Sequence, residues 1–295
     1  MKRLYLFCAV IIFFISCKEQ KSDLNQKISI ANFDNLKALD VKLDTIPGDW
    51  LSQHDEEGQT FNQYLKKNPI RSSSGEDCIY ILPIGDFSEW EFKVVQFNAE
   101  YLHLFFGLKV KTMQPISDTV IPKDKRRMQF GVEQLDASYI IQELLPYELP
   151  NDGIVIMALT AKDLYPKPSW NFVFGLASYI ERTGVTSMYR FSDLPLDQNN
   201  YSKCLGRLIK TSSHEITHMF SMKHCINAVC LMNGVNHLGE SDRRPNALCS
   251  QCLAKLSWNF NFKDVERLQE LIVFLKKHEL YSDAEILEKQ LDVIK

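Results

Sequence analysis

No cluster of Lys and Arg tracks along any helical stretch of this 295-residue chain, and its formal charge is only −3. Nucleic acid is therefore not an expected partner, because phosphate binding needs a basic stripe. No internal repeat is visible. The apolar run Leu4–Ile15 has twelve residues, too few to cross a bilayer as a helix. Cysteine is scarce outside one stretch. Of eight, four crowd into 225–252, and beyond the first seventeen residues only Cys78 and Cys204 stand elsewhere. A disulfide scaffold would spread its cysteines along the chain, so this pattern is a local cluster.

What is present begins with a processing signal. Lys2 and Arg3 precede the apolar run, which ends in Phe14-Ile15-Ser16-Cys17. That ending looks like a bacterial lipobox, with cleavage before Cys17 and lipid on its thiol. A plain signal peptide that happens to contain a cysteine is the other reading. Lipid would hold the protein on a membrane surface without spanning it. Lys18 and Glu19, with no aspartate at the second position, point to an outer membrane, on its periplasmic side or at the cell surface. Loss of residues 1–17 leaves 32 basic against 37 acidic side chains, a formal charge of −5. Residues 18–45 read as a polar tether, 46–258 as the main domain and 259–295 as C-terminal helices packed on it.

Cys78–Leu82, Leu108–Met113 and Ile154–Leu159 read as strands. Ser88 and Glu91 form a capping box that opens a helix, and Gly107 stops it. A second helix is expected over 133–145. Strand and helix in alternation predict a mainly parallel α/β sheet. Aromatics alternate at Trp170, Phe172 and Phe174, and a turn at Arg182-Thr-Gly184 should join that segment to 185–191 as a hairpin. Residues 264–294 read as two amphipathic helices, the second opened by Ser282-x-x-Glu285.

The chemistry lies in HEITHMFSMKHC, residues 214–225. The helix carrying it should start near Asn200, with Cys204, Leu205, Leu208, Ile209, Ile216 and Met219 on its core face. His214 and His218, four apart, stack on another face, as two imidazoles sharing one ion must. Glu215 is placed to hold a metal-bound water rather than the metal. His224 completes a three-histidine site only if the chain turns back after His218. Such a turn favours Gly because it needs φ > 0, yet position 221 is Ser, at a cost of roughly 1–2 kcal/mol. Three histidines and one open position make a catalytic zinc site. Cys225-x4-Cys230 and Cys249-x2-Cys252 are spaced for a closed, structural four-thiolate zinc. Disulfides are the rival reading in an oxidising compartment.

With both sites in hand, the chain resembles the archaemetzincins, a family of zinc metallopeptidases with the signature HExxHxxGxxH, C-x4-C-x-M, a spacer and CxxC. Here it stands as HEITHMFSMKHC, INAV, CLM, sixteen residues and CSQC. PGDWL (47–51), TAKDLYP (160–166), NFVFGLA (171–177) and NGVNHLGESDRRP (233–245) extend the likeness over roughly 46–258. The resemblance implies His214, His218 and His224 as ligands of the catalytic zinc, Glu215 as general base, and the four cysteines as ligands of a second zinc. It also implies Met232 as the methionine of the turn beneath the metal. Ser221 for Gly is the one clear departure. The implied architecture is a metzincin-like α/β fold. It has a twisted, mostly parallel mixed sheet, an active-site helix and a smaller C-terminal lobe, with substrate pairing to an edge strand. Residues 170–175 are either that edge or an interior strand.

The expected function is a membrane-anchored, monomeric zinc peptidase, an endopeptidase or aminopeptidase, acting on a peptide or protein. Non-peptide amides such as cell-wall stems share the chemistry. The alternative is a catalytically weak or inactive zinc lipoprotein that binds peptides or a partner. A zinc-stapled structural lipoprotein would leave the histidines idle. Residues 18–45 hold no cysteine to cap the zinc.

Overall fold

The computed structural model describes residues 33–73 and 75–295. The processing signal, Cys17 and the first part of the polar tether lie outside those residues. A five-stranded sheet forms the centre, in the order β2-β1-β5-β8-β7. Its strands are β1 (Cys78–Ile84), β2 (Lys109–Thr112), β5 (Gly153–Thr160), β7 (Gly175–Ala177) and β8 (Thr183–Ser187). All neighbours are parallel except β7, which runs antiparallel to β8 at the edge. The sheet is thus mixed and mostly parallel, as expected. Every residue of β1 and β5 is buried, consistent with their near-continuous apolar runs.

The helix Glu89–Phe106 connects β1 to β2, with the expected capping box at Ser88 and Glu91. Gly107 ends it at φ 63°, a conformation that favours glycine. The helix that carries the HEITH motif, Tyr201–Met219, begins after Asn200 as expected, and its core face is almost wholly buried. Helices Asp264–Lys277 and Tyr281–Ile294 pack at the C-terminus. Arg267 Nε donates to the carbonyl of Phe105 at 2.7 Å and ties the first of them to the core.

Four local expectations are corrected. Val132–Asp136 is strand β4, and the chain turns helical only at Ala137. It pairs with β3 (Arg126–Gln129) through Phe130 and Gly131, both at positive φ, as a tight two-residue hairpin requires. β4 also pairs with β6 (Asp163–Tyr165) to complete a small second sheet. Residues 170–174 are not a strand. They join the small sheet through a backbone bridge, Leu164 to Val173, and through Arg127 and Gln134, which donate to the carbonyls of Trp170 and Asn171, and the edge strand is β7 just beyond them. The hairpin therefore turns at 178–182, where Ser178 Oγ accepts from the amides of Ile180 and Glu181. Ser282 does not cap the last helix, because the preceding helix ends at Lys277, the chain turns at Glu279 (φ 61°) and Leu280 already occupies the capping position.

The end of the polar stretch is held down. Val229 N donates to Val41 O at 2.8 Å, and Asp40 accepts from the amide of Ser250 at 2.9 Å. This carboxylate caps the helix Ser250–Phe260 directly beside the cysteines.

Candidate metal centres

His214, His218 and His224 meet where the active-site helix ends, their donor atoms within 4.8 Å of one another. Each imidazole is oriented from behind. His214 Nδ1 lies 2.9 Å from the carbonyl of Leu231, and His218 Nδ1 lies 2.6 Å from that of Met222. His224 Nδ1 lies 2.7 Å from Glu56 Oε1. A carbonyl or carboxylate can only accept, so all three Nδ1 atoms carry the proton. Nε2 is therefore the atom that each imidazole leaves for a metal. His214 Nε2 and His218 Nε2 face each other at 2.9 Å, a contact that cannot be a hydrogen bond between two acceptors. A cation between them resolves it. Burial, then the neighbouring His224, pushes His214 down to about 3, and burial with His214 and His224 moves His218 the same way. Neutral imidazoles are what a metal ligand set requires.

Ser221 lies at φ 68°, so the turn takes the expected left-handed residue without glycine. Gln59, buried at 6 % exposure, supports it from outside the motif. Its Nε2 donates to Ser221 O at 3.0 Å, and its Oε1 accepts from Lys223 N at 3.3 Å.

Glu215 is buried beside the histidines and opens onto a cleft of about 500 Å³. Burial pushes its carboxyl up to about 8. It fits there because residue 175 has no side chain. A Cβ on Gly175 would stand 2.7 Å from Glu215 Cγ. The cleft wall carries Trp50, Phe172, Phe174 and Tyr179. The Tyr179 hydroxyl is 3.1 Å from His218 Nδ1.

Cys225, Cys230, Cys249 and Cys252 form the second cluster, all buried, with their sulfurs within 4.8 Å. None is disulfide-bonded, and Cys225 Sγ is 3.7 Å from Cys249 Sγ. The amides of Cys249 and Met232 point at Cys230 Sγ from 3.2 and 3.4 Å, donors suited to a thiolate. Four converging thiols with amide donors fit a closed zinc site. Met232 is fully buried, and its carbonyl accepts from Cys225 N at 2.7 Å, linking the two clusters.

A third group, Asp49, His237 and Glu240, has metal-like spacing, yet its carboxylates are already engaged. Asp49 takes a bidentate bond from Arg243 at 2.6 and 2.7 Å, and Glu240 accepts from Arg244 and from the amide of Trp50. This network pins Trp50 so that its ring meets His224 edge-on at 5.2 Å.

The structure brings together every candidate ligand the sequence points to. Sequence reasoning missed Glu56, Gln59 and Tyr179. PGDWL was visible, but not its destination.

The profile of Peptidase family M54 matches residues 147–258. Human archaemetzincin-2 is 34% identical over 264 residues, covering 77% of this chain and 71% of its own. The chain belongs to the archaemetzincin family. Human archaemetzincin-1 is 28% identical, over 76% of this chain and 51% of its own. The crystal structure of an archaemetzincin from Methanopyrus kandleri shares the fold, with a TM-score of 0.50 and 23% identity over 65% of this chain and all of that one. Membership makes this archaemetzincin a zinc metallopeptidase, a hydrolase.

Proposed function

We propose that the chain hydrolyses peptide bonds at the histidine centre, with Glu215 as general base. The observation that carries this reading is the convergence of three imidazole Nε2 atoms beside a buried, uncommitted carboxylate in one cleft. Zinc bound by His214, His218 and His224 would polarise the substrate carbonyl and bring a bound water's pKa to about 7. With a zinc charge beside it to hold the carboxyl ionised, Glu215 would take a proton from that water and deliver it to the leaving amine. Gly175 leaves room for this carboxylate, and Tyr179 stands beside His218 to steady the ligand. A peptide would lie extended along β7, the antiparallel edge strand that borders the cleft.

A second zinc, held by Cys225, Cys230, Cys249 and Cys252, would staple the loop that carries Leu231 under His214. The protein acts as a monomer tethered to an outer membrane through lipid on Cys17. Detergent phase partitioning of the full chain and its Cys17→Ser variant tests the tether, which fails if both partition alike.

Incubation of the zinc-loaded protein with a diverse peptide set, beside Glu215→Ala, tests the catalytic reading. Cuts made only by the wild type are expected. Peptide binding without cuts by either protein would favour a zinc-dependent binder instead.

A further inference from the structure

Among the described residues, Glu215 is the one carboxylate lining the cleft, against three cations, Lys167, Lys210 and Arg244. Lys210 lies four residues before His214, hence on the same helix face, one turn or about 6 Å away. Its ammonium donates to Ser241 O at 2.8 Å and makes no ion pair among the described residues. The carboxylates nearest in charge are occupied. Asp242 holds Arg207 through both oxygens at 2.8 and 2.5 Å, and Asp283 accepts from Asn246 N and Nδ2 at 2.8 and 2.6 Å. Burial accordingly pushes Lys210 down from the usual lysine range. Arg244, only 8% exposed, lines the same wall. Its Nη2 pairs with Glu240 at 3.1 Å and with Asp49 at 3.5 Å, whereas its buried Nε has no hydrogen-bond partner among the described residues. Lys210 feels the charges of Asp283 and Asp242 but has no direct ion pair among the described residues, and a buried cation of that kind on a substrate cleft is a binding feature.

We propose that Lys210, assisted by Arg244, forms a carboxylate subsite, so that the preferred substrate carries an acidic group next to the cleaved bond. This rests on the peptidase reading above. The carboxylate belongs either to an Asp or Glu side chain or to the peptide's own C-terminus. A substrate residue in extended conformation advances about 3.3 Å, so a side chain one position from the metal reaches a point one helical turn away. An ammonium–carboxylate contact in such a site supports about ten-fold discrimination or more.

The test uses zinc-loaded protein and peptides that differ only by Glu or Gln beside the cut bond, each made as C-terminal acid and as amide. Wild type should cut the Glu peptide at least about ten-fold faster in kcat/KM than the Gln peptide. If the free terminus is the ligand, the acid-over-amide ratio carries the effect instead. Lys210→Met should remove the preference, and Lys210→Glu should transfer it to a Lys peptide, with zinc content unchanged. Cleavage of all four peptides by the wild type at rates within two-fold of one another overturns the subsite and leaves the peptidase reading standing. Should nothing be cut, the same peptides are titrated onto Glu215→Ala by calorimetry. A carboxylate preference there, lost in Glu215→Ala/Lys210→Met, upholds the subsite while the catalytic reading falls; no preference overturns the subsite.

Discussion

Gln59 grips the backbone on both sides of Met222, donating to the carbonyl of Ser221 and accepting from the amide of Lys223. Ser221 is the residue held at φ 68° where the motif favours glycine. The bracing comes from 162 positions earlier in the chain. It offsets a left-handed strain of roughly 1–2 kcal/mol and keeps His224 facing its two partners.

Removing that brace should therefore hurt more than the serine does. Gln59→Ala leaves a carbonyl and an amide without partners and should destabilise by about 1–3 kcal/mol. Ser221→Gly should be neutral to stabilising by about 1 kcal/mol. Thermal melts of the singles and the double variant check this. A Gln59→Ala cost unchanged in the Ser221→Gly background would mean the two residues act independently.

Glu56 sets the tautomer of His224 and should tune metal affinity. Glu56→Gln should weaken zinc at the histidine centre by about 10–100-fold, with the cysteine site untouched. Chelator competition on each site separately measures it. Equal affinity in the two proteins would reduce Glu56 to packing.

Gly175→Ala should act through space rather than through the metal. The new methyl would stand 2.7 to 2.8 Å from Glu215 Cγ and Oε1 and must displace that carboxylate. Turnover should fall by about ten-fold or more while zinc content and melting hold. Unchanged kcat would show that Glu215 sits elsewhere during the reaction.

Graded chelation should empty the two centres in order. The open three-histidine centre should release zinc first, abolishing cleavage with the fold retained. The four-thiolate centre should release later, together with a loss of thermal stability, because that site is also a staple. Metal analysis and thiol titration at each step follow the sequence. A single zinc per native chain, with oxidised cysteines, would refute the second centre.

Legibility in the sequence tracked distance along the chain. The helix 89–106 carried its own start at Ser88 and stop at Gly107, and the HEITH helix its own stripe, so both could be placed from local chemistry. The cysteines and histidines were legible because ligand spacing is itself local. Val132–Asp136 misled because Glu133 and Gln134 favour helix, while the pairing that overrides them comes from β3 and β6. The aromatics at 170–174 mimic a strand but serve as cleft wall. Glu56 and Gln59 gave no sign of their roles, since nothing near them in sequence indicates what they touch.

Glu56 reaches His224 across 168 positions, and Asp40 reaches Ser250 across 210. Contacts that distant close only after the intervening chain has ordered, since loop closure is charged in entropy before it is rewarded. The ligand-bearing helix can form early from its own contacts. The oriented third histidine cannot. Its order of assembly thus delays the completed hydrolytic centre until the rest of the molecule is compact, and a half-folded copy has little means of cutting its neighbours.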